Sequence, residues 1–172
     1  MIEEIVSSGC IPDYKSHQFY PTPDWLAKHA VELAEIHDHH DVLEPEAGTG
    51  QIAKYLPSNT TCVEISSLHC KVLESAGMGN VICDDFLNWS SVTSQRFDRI
   101  VMNPPFNEKR WSLHLNAASQ LLRNDGRLVA ILPAGTKNTD VLPGWDCEWS
   151  KSYDNAFPGT AVSVVILTAT KP

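Results

Sequence analysis

The sequence predicts an α/β domain built on a mostly parallel central sheet with an antiparallel last strand. Short apolar runs alternate with polar or helix-patterned connectors, which is typical of parallel strands joined by helices. The last apolar run, at 161–168, is rich in β-branched residues, and no clear helix separates it from a short candidate strand at 146–149. Strands joined without a helix can pair antiparallel. The length of 172 residues and the hydrophobic content of 42% suffice for one buried core.

The elements follow in order along the chain. A helix is predicted at 23–36, where apolar residues recur at helical spacing and Pro23 stands in the first turn. Residues 1–18 are predicted to form an N-terminal arm, and residues 19–172 a single domain. The segment 135–157 is predicted to be mostly loop. The remaining predictions are strands at 42–43, 61–65, 80–83, 97–102, 127–132 and 161–168, with helical connectors at 67–76 and 109–122.

Composition excludes several classes of protein. A net charge of −8 excludes a surface coated in basic charge, which would bind nucleic acid by bulk electrostatics. The first residues include two glutamates, whereas a secretory signal begins with basic residues. No apolar stretch is long enough to span a bilayer, so we expect a soluble, cytoplasmic protein without a membrane partner. Five cysteines without a Cys-x-x-Cys pair fit neither a disulfide framework nor a zinc cluster. We therefore predict no metal site.

The first candidate binding motif runs from Glu44 to Gly50, where a buried strand leads into a glycine turn and then a helix start. Glycines at such a strand end let a ligand approach the backbone, and helix N–H groups point outward. A tight turn without a ligand is the alternative, because Gly-x-Gly is a weak signal when it stands alone. No third glycine follows at the dinucleotide spacing, which disfavours a dehydrogenase.

Acidic residues follow the second and third strands. Glu64 ends the second strand, where a carboxylate can accept both hydroxyls of a ribose. Asp85 follows the third strand and offers an acceptor for an adenine amino group, with Phe86 beside it as an aromatic face. Each acid taken alone is equally well explained as an exposed residue at a strand end or in a loop.

The most informative motif is Asn103-Pro104-Pro105-Phe106, directly after the fourth strand. Two successive prolines lack N–H donors and restrict the chain, so the preceding carbonyl is not used up by ordinary sheet or helix pairing. The Asn103 side-chain oxygen and a proline carbonyl then form paired acceptors beside an aromatic ring. Such a site suits a planar ring with an exocyclic amine. The alternative is a proline-rich strand terminator.

Taken in order, the motifs resemble those of S-adenosylmethionine-dependent N6-adenine DNA methyltransferases, over residues 18–168. The order is similar to the gamma arrangement, since an aromatic-Pro-Thr-Pro element, Phe19-Tyr20-Pro21-Thr22-Pro23, and the cofactor motifs precede the catalytic one. The resemblance implies a Rossmann-like class I methyltransferase fold, S-adenosyl-L-methionine as cofactor, and methyl transfer to the N6 amine of adenine in DNA. Adenine methylation of RNA, or a non-catalytic methyltransferase-like subunit that binds an active partner, remain the alternatives.

The resemblance also implies roles for individual residues. Asn103, Pro104, Pro105 and Phe106 would form the catalytic loop, in which Asn103 and the Pro104 carbonyl bind the target amine and Phe106 stacks on its base. Phe157 would supply a second aromatic, while Lys109 and Arg110 would lie near phosphates flanking the base. The implied cofactor contacts, running from the methionine end through the ribose to the adenine, are Tyr20, Thr22, Glu44, Ala47, Gly48, Gly50, Glu64, Ile65, Asp85 and Phe86.

Three features depart from a simple match. Glu46 stands where relatives usually carry a small residue, and its carboxylate would repel the methionine carboxylate unless it points away or meets a positive charge. Too few residues lie between the fifth and last strands for a target-recognition domain, so we expect weak sequence specificity, specificity supplied by a protein partner or homodimer, or a structured RNA substrate.

Residues 96–137 carry seven basic and three acidic side chains, which predicts a small basic patch around the active site or, alternatively, a solvated helix face.

Overall fold

The computed structural model describes residues 20–172, so the predicted N-terminal arm lies outside the described residues. Helices and strands alternate along this part of the chain, and none of its helices is long and apolar enough to cross a membrane. The helices are α1 (Asp24–Leu33), α2 (Ser67–Ser75), α3 (Phe86–Val92) and α4 (Arg110–Leu121). The strands are β1 (Val42–Glu44), β2 (Thr61–Glu64), β3 (Asn80–Cys83), β4 (Phe97–Met102), β5 (Leu122–Pro133), β6 (Asp146–Trp149) and β7 (Val164–Thr170).

The strands form one seven-stranded sheet in the order β3-β2-β1-β4-β5-β7-β6. The pairs among β1 to β5 are parallel, whereas β7 pairs antiparallel with both β5 and β6. The predicted mostly parallel sheet with an antiparallel last strand is therefore confirmed. Because β1 to β4 run in the same direction, their carboxyl ends and the loops that follow them lie at one edge of the sheet.

Strand β5 shows how the sheet separates two hydrophobic layers. Leu128, Ala130 and Leu132 point to the layer that contains α3 and α4. Val129 and Ile131 point to the opposite layer, against α1. Alternate residues of a strand face opposite sides of its sheet, so a continuous apolar run is needed wherever both sides are covered. The buried strands β1 and β2 follow the same rule.

Three elements differ from the predictions. Strand β5 begins at Leu122, directly after α4, rather than at residue 127. The glycine turn leads into a 3-10 helix at Ala53–Tyr55 instead of an α-helix, and Pro57 follows soon after, where it disfavours helical backbone at Leu56. Helix α3 was not predicted. Asp85 caps it by accepting a hydrogen bond from the Asn88 N–H at 3.0 Å.

Candidate active site

A cleft of about 410 Å³ opens where β1 to β4 end. Its walls come from the loops that follow these strands, from the segment before α1, from the start of α4, and from the loop before β7. All but two of the site residues predicted from the sequence line it. The lining includes Tyr20, Thr22, Glu44, Ala47, Gly48, Glu64, Ile65, Asp85, Phe86, Asn103, Pro104, Pro105, Phe106, Arg110 and Phe157.

Gly50 and Lys109 are the exceptions, because neither residue lines the cleft. Gly50 has a φ of +95°, and a Cβ on it would lie 3.3 Å from Leu73 Cδ2. A glycine is needed there so that the loop can turn and pack against α2, not so that a ligand can approach. Lys109 is exposed outside the cleft, at the turn that begins α4. Gly50 does not line the cleft, and its predicted contact with a cofactor stays a prediction.

Glu64 ties the glycine loop to the end of β2. Its Oε2 accepts a hydrogen bond from the Gly48 N–H at 2.8 Å, and its Oε1 accepts one from the Ser66 N–H at 2.8 Å. The residue is only 7% exposed. Glu64 Oε1 also lies 3.3 Å from Nδ1 of the buried His69. These contacts orient Glu64, and the second lone pair of Oε2 remains to accept a hydrogen bond from a ligand. Glu64 thus shapes the loop and also presents a carboxylate to the cleft.

The two aspartates after β3 are organised by the start of α3. Asp84 Oδ1 accepts from the Asp85 N–H at 2.8 Å, and both Asp84 oxygens lie 3.1 Å from Asn88 Nδ2. Asp85 uses Oδ1 to cap α3, as described above. Phe86 lies in the first turn of α3 and is buried against the core, with its remaining surface in the cleft wall. Helix capping therefore fixes where the carboxylate of Asp85 and the ring of Phe86 lie.

Asn103 lies at the end of β4, where its amide is oriented by the segment before α1. Asn103 Nδ2 donates a hydrogen bond to Thr22 Oγ1 over 2.9 Å. Since the two ends of the amide point in different directions, this bond leaves Oδ1 to act as an acceptor elsewhere. Pro104 and Pro105 follow without N–H groups, as the sequence required. Thr22 is 7% exposed, so water does not readily replace its hydroxyl.

Aromatic rings form one wall of the cleft next to Asn103. The centroids of Phe106 and Phe157 are 6.2 Å apart, with the rings inclined at 69°. Those of Tyr20 and Phe157 are 6.0 Å apart and inclined at 43°. Phe157 is buried and braces the other two rings, while Tyr20 is exposed. These rings present apolar faces and edges against which a planar ligand can pack.

The opposite part of the cleft is rich in carboxylates. Glu44 is 1% exposed, and its burial and the nearby Glu46 and Glu64 raise the pKa of its carboxyl well above the ordinary value. Its Oε2 is buried without a hydrogen-bond partner among the described residues. A buried acid without a partner is costly, so a positively charged or donor-rich ligand would stabilise this end of the cleft.

Like His69, which contacts Glu64, His114 is a cleft residue that the sequence analysis missed. It lies on the buried face of α4, and its Nδ1 forms a hydrogen bond with Glu46 Oε1. Glu46 thus meets a hydrogen-bond partner, which is how the extra carboxylate is accommodated in the glycine loop. The available signal was the helical spacing of Arg110 and His114, which places both on one face of α4. Both residues line the cleft.

The predicted basic patch around the site is wrong. Arg99 and Arg127 lie near the opposite edge of the sheet, where β4 and β5 begin. Arg123 at that edge forms ion pairs of 2.8 Å with Asp41 and with Asp98. Charges that are close in sequence were separated because a strand carries the chain from one edge of the sheet to the other. Arg110 is the one basic residue of this stretch, among the described residues, that lines the cleft.

No family model and no curated protein matches the sequence. Solved structures do match the fold. One match is a Listeria monocytogenes protein assigned by inference to the class I S-adenosylmethionine-dependent methyltransferases, with a TM-score of 0.71 and 12% identity. The match covers 99% of this chain and 65% of the Listeria protein. TrmN from Thermus thermophilus matches with a TM-score of 0.67 and 19% identity, over 86% of this chain and 48% of its own, so this chain spans about half of TrmN. An rRNA methylase from Streptococcus thermophilus matches with a TM-score of 0.60 and 13% identity, over 84% and 95% of the two chains.

These matches identify the architecture. The described residues have the fold of class I S-adenosylmethionine-dependent methyltransferases, with the seven-stranded order and the antiparallel β7 given above. In open α/β sheets, ligands bind beyond the carboxyl ends of the strands. The cleft lies at this position.

Proposed function

We propose that this protein transfers a methyl group from S-adenosyl-L-methionine to the exocyclic N6 amine of adenine in DNA. The fold supports methyl transfer in general. The observation that favours an amine target is the Asn103 amide, which Thr22 orients next to a wall of aromatic rings. A pair of acceptors beside such a wall suits a planar heterocycle that carries an NH₂ group.

The carboxylate-rich end of the cleft fits the cofactor. The buried, unpartnered Glu44 Oε2 would accept from a positively charged donor, such as the ammonium group of a methionine moiety. Glu64 would accept from ribose hydroxyls, and the apolar side chains of Ile65 and Phe86 would lie against the adenine. When bound, the cofactor supplies an electrophilic methyl group on a positively charged sulfur atom.

The catalytic loop would prepare the target amine for attack. The N6 lone pair of adenine is delocalised into the ring, which makes the amine a poor nucleophile. Asn103 Oδ1 and the Pro104 carbonyl would each accept one N–H, which favours a tetrahedral nitrogen and frees its lone pair. Phe106 would hold the ring plane by stacking. The amine becomes acidic as its new bond forms, so its proton can pass to the same acceptors or to water.

The substrate would enter as an unpaired base. A base inside a duplex must be flipped out of the stack, which costs a few kcal/mol. Lys109 and Arg110, exposed beside the catalytic loop, would then contact the flanking phosphates. We propose that the enzyme either recognises little sequence by itself or relies on a protein partner or a second copy of the chain.

RNA is the second candidate substrate. One structure of the same fold is named as an rRNA methylase, and it covers 84% of this chain. A single-stranded or looped RNA offers unstacked bases at lower cost than a DNA duplex does. The geometry around Asn103 would serve an adenine amine from either nucleic acid equally well.

The proposal is tested by transfer of a radiolabelled methyl group to duplex DNA, single-stranded DNA and RNA in parallel, followed by nucleoside identification. We expect N6-methyladenine in DNA, and none with Asn103→Ala. N6-methyladenine in RNA alone would establish the second candidate. Label in protein, in cytosine or on a ring carbon would overturn the adenine-N6 assignment. Binding of the cofactor without transfer to any substrate would favour a non-catalytic subunit.

A further inference from the structure

We propose that Glu46 shifts the preference of the cleft toward the positively charged sulfonium cofactor and away from its uncharged thioether product, and that His114 holds Glu46 in place for this purpose. The inference rests on the proposed use of S-adenosyl-L-methionine and adds a specificity role to it. Glu46 would act through charge on a cofactor whose charge changes during the reaction, and His114 would be a positioning residue.

The first support is the geometry of the pair. Glu46 belongs to the glycine loop, which leads from β1 into the cleft. One of its oxygens is bonded to His114 Nδ1, and the other, Oε2, is buried without a hydrogen-bond partner among the described residues. The His114 side chain is 5% exposed, and its Nε2 likewise has no partner there. Both residues line the cleft, so the pair carries polar atoms that no described residue satisfies next to the space that a ligand would fill.

The second support is the sign of the surrounding charge. Burial, together with the nearby Glu64 and Asp85, raises the pKa of the Glu46 carboxyl, whereas its bond to His114 opposes this rise. His114 thus favours the ionised form of Glu46. Ionised carboxylates in a partly buried cleft attract a cation more strongly than exposed carboxylates do, because solvent and salt screen them less.

Glu46 is the member of the acidic group best suited to this role. Both oxygens of Glu64 accept from backbone N–H groups, and its Oε1 also lies 3.3 Å from His69 Nδ1, so neither oxygen of Glu64 is unused. Glu44 is more deeply buried, and its carboxyl pKa is raised well above the ordinary value, which favours its neutral form. Glu46 has a partner that supports its charge and also an oxygen that remains unused.

The positive charge on the sulfur atom of the cofactor is lost during methyl transfer. In the transfer, the bond from sulfur to methyl breaks, sulfur keeps the electron pair and loses its positive charge, and the nucleophile forms the new bond. A carboxylate that attracts the sulfonium therefore loses this attraction once the thioether has formed. Glu46 would stabilise the bound cofactor while helping the product to leave.

The test measures the affinity of the full chain for three ligands by calorimetry. These are S-adenosylmethionine, S-adenosylhomocysteine, and sinefungin, which carries an ammonium group in place of the sulfonium. We expect Glu46→Gln to weaken binding of the two cationic ligands about tenfold, equivalent to about 1.4 kcal/mol, and to leave the thioether within about twofold. Glu148→Gln removes the same charge from the exposed edge strand β6 and should change no ratio.

Variants of His114 test its positioning role. His114→Asn places an amide N–H near the position of Nδ1 and should retain the ligand ratio, whereas His114→Leu should lose it. If Glu46→Gln weakens all three ligands equally, or weakens none, the charge role is overturned while the proposed cofactor stands. A folded His114→Leu protein with the wild-type ratio would overturn the role of His114. Wild-type protein that binds none of the three ligands would overturn both this inference and the proposed function.

Discussion

The hydrogen bond from Asn103 Nδ2 to Thr22 Oγ1 yields the sharpest prediction about catalysis. Thr22→Val keeps the shape of the side chain and removes the hydroxyl that accepts this bond. Leaving a buried donor without a partner costs about 1–3 kcal/mol. Rotation of the Asn103 amide then becomes favourable, and it points Nδ2 where Oδ1 is needed. The target amine would meet a donor instead of an acceptor.

The expected effect is on the chemical step. A hydrogen bond to a group that becomes charged contributes about 1.5–3 kcal/mol, so its loss should lower kcat about 10- to 100-fold. The assay measures methyl transfer at saturating concentrations of cofactor and nucleic acid, with cofactor affinity determined separately by calorimetry. Thr22→Ser keeps the hydroxyl and is the matched control, and thermal unfolding confirms that each variant is folded.

A different outcome would refute this reasoning. The sequence resemblance implies that Thr22 contacts the methionine end of the cofactor. If Thr22→Val weakens cofactor binding and leaves kcat at saturation unchanged, the hydroxyl serves the cofactor and not the orientation of Asn103. A loss of kcat with unchanged cofactor affinity supports the orienting role.

Three further predictions follow from single residues. Asn103→Ala should abolish methyl transfer while calorimetry still detects cofactor binding, because the change removes the proposed acceptor for the target amine and leaves the acidic residues proposed to hold the cofactor. The pKa of Glu44 is raised, so the folded protein holds the proton of this carboxyl more readily than the unfolded chain does. The contribution of Glu44 to the free energy of unfolding therefore falls as the pH rises above the ordinary pKa of a glutamate. Glu44→Gln should therefore raise the melting temperature of the ligand-free protein at pH 8 more than at pH 5, and should weaken cofactor binding. Gly126→Ala should destabilise the fold by about 1–3 kcal/mol in chemical denaturation, because its Cβ would lie 2.6 Å from Leu122 Cγ, whereas Gly135→Ala has open space and should be nearly neutral.

Much of the fold could be predicted because its signals are local. The predicted strands at 80–83, 97–102 and 146–149 coincide with β3, β4 and β6. Of these, β4 lies inside the parallel part of the sheet, where apolar residues are needed on both faces, so its apolar run ends where the strand ends. Helix α3 was missed because it is short, and because its cap, Asp85, was interpreted only as a ligand contact. The same side chain serves the helix and lines the cleft.

The grouping of the site residues could also be predicted, since the motifs follow successive parallel strands whose ends lie at one edge. What the sequence could not provide was the set of contacts between distant segments. Thr22 and Asn103 are 81 residues apart, and Glu46 and His114 are 68 apart. Each contact depends on how a helix or terminal segment is rotated against the sheet, and packing rather than local sequence determines that rotation.

The distribution of charge has a consequence for how a nucleic acid could bind. An acid-lined cleft favours a cationic cofactor and repels phosphates, and Arg123 and Arg127, which might offset this, are ion-paired at the far edge of the sheet. Each phosphate contact adds to affinity and to its salt dependence, so Lys109 and Arg110 alone provide a small electrostatic contribution. Weak, salt-sensitive binding is therefore expected of this chain by itself. Tight binding would require basic surface from elsewhere, which a partner protein or a second copy presenting its own Lys109 and Arg110 would supply.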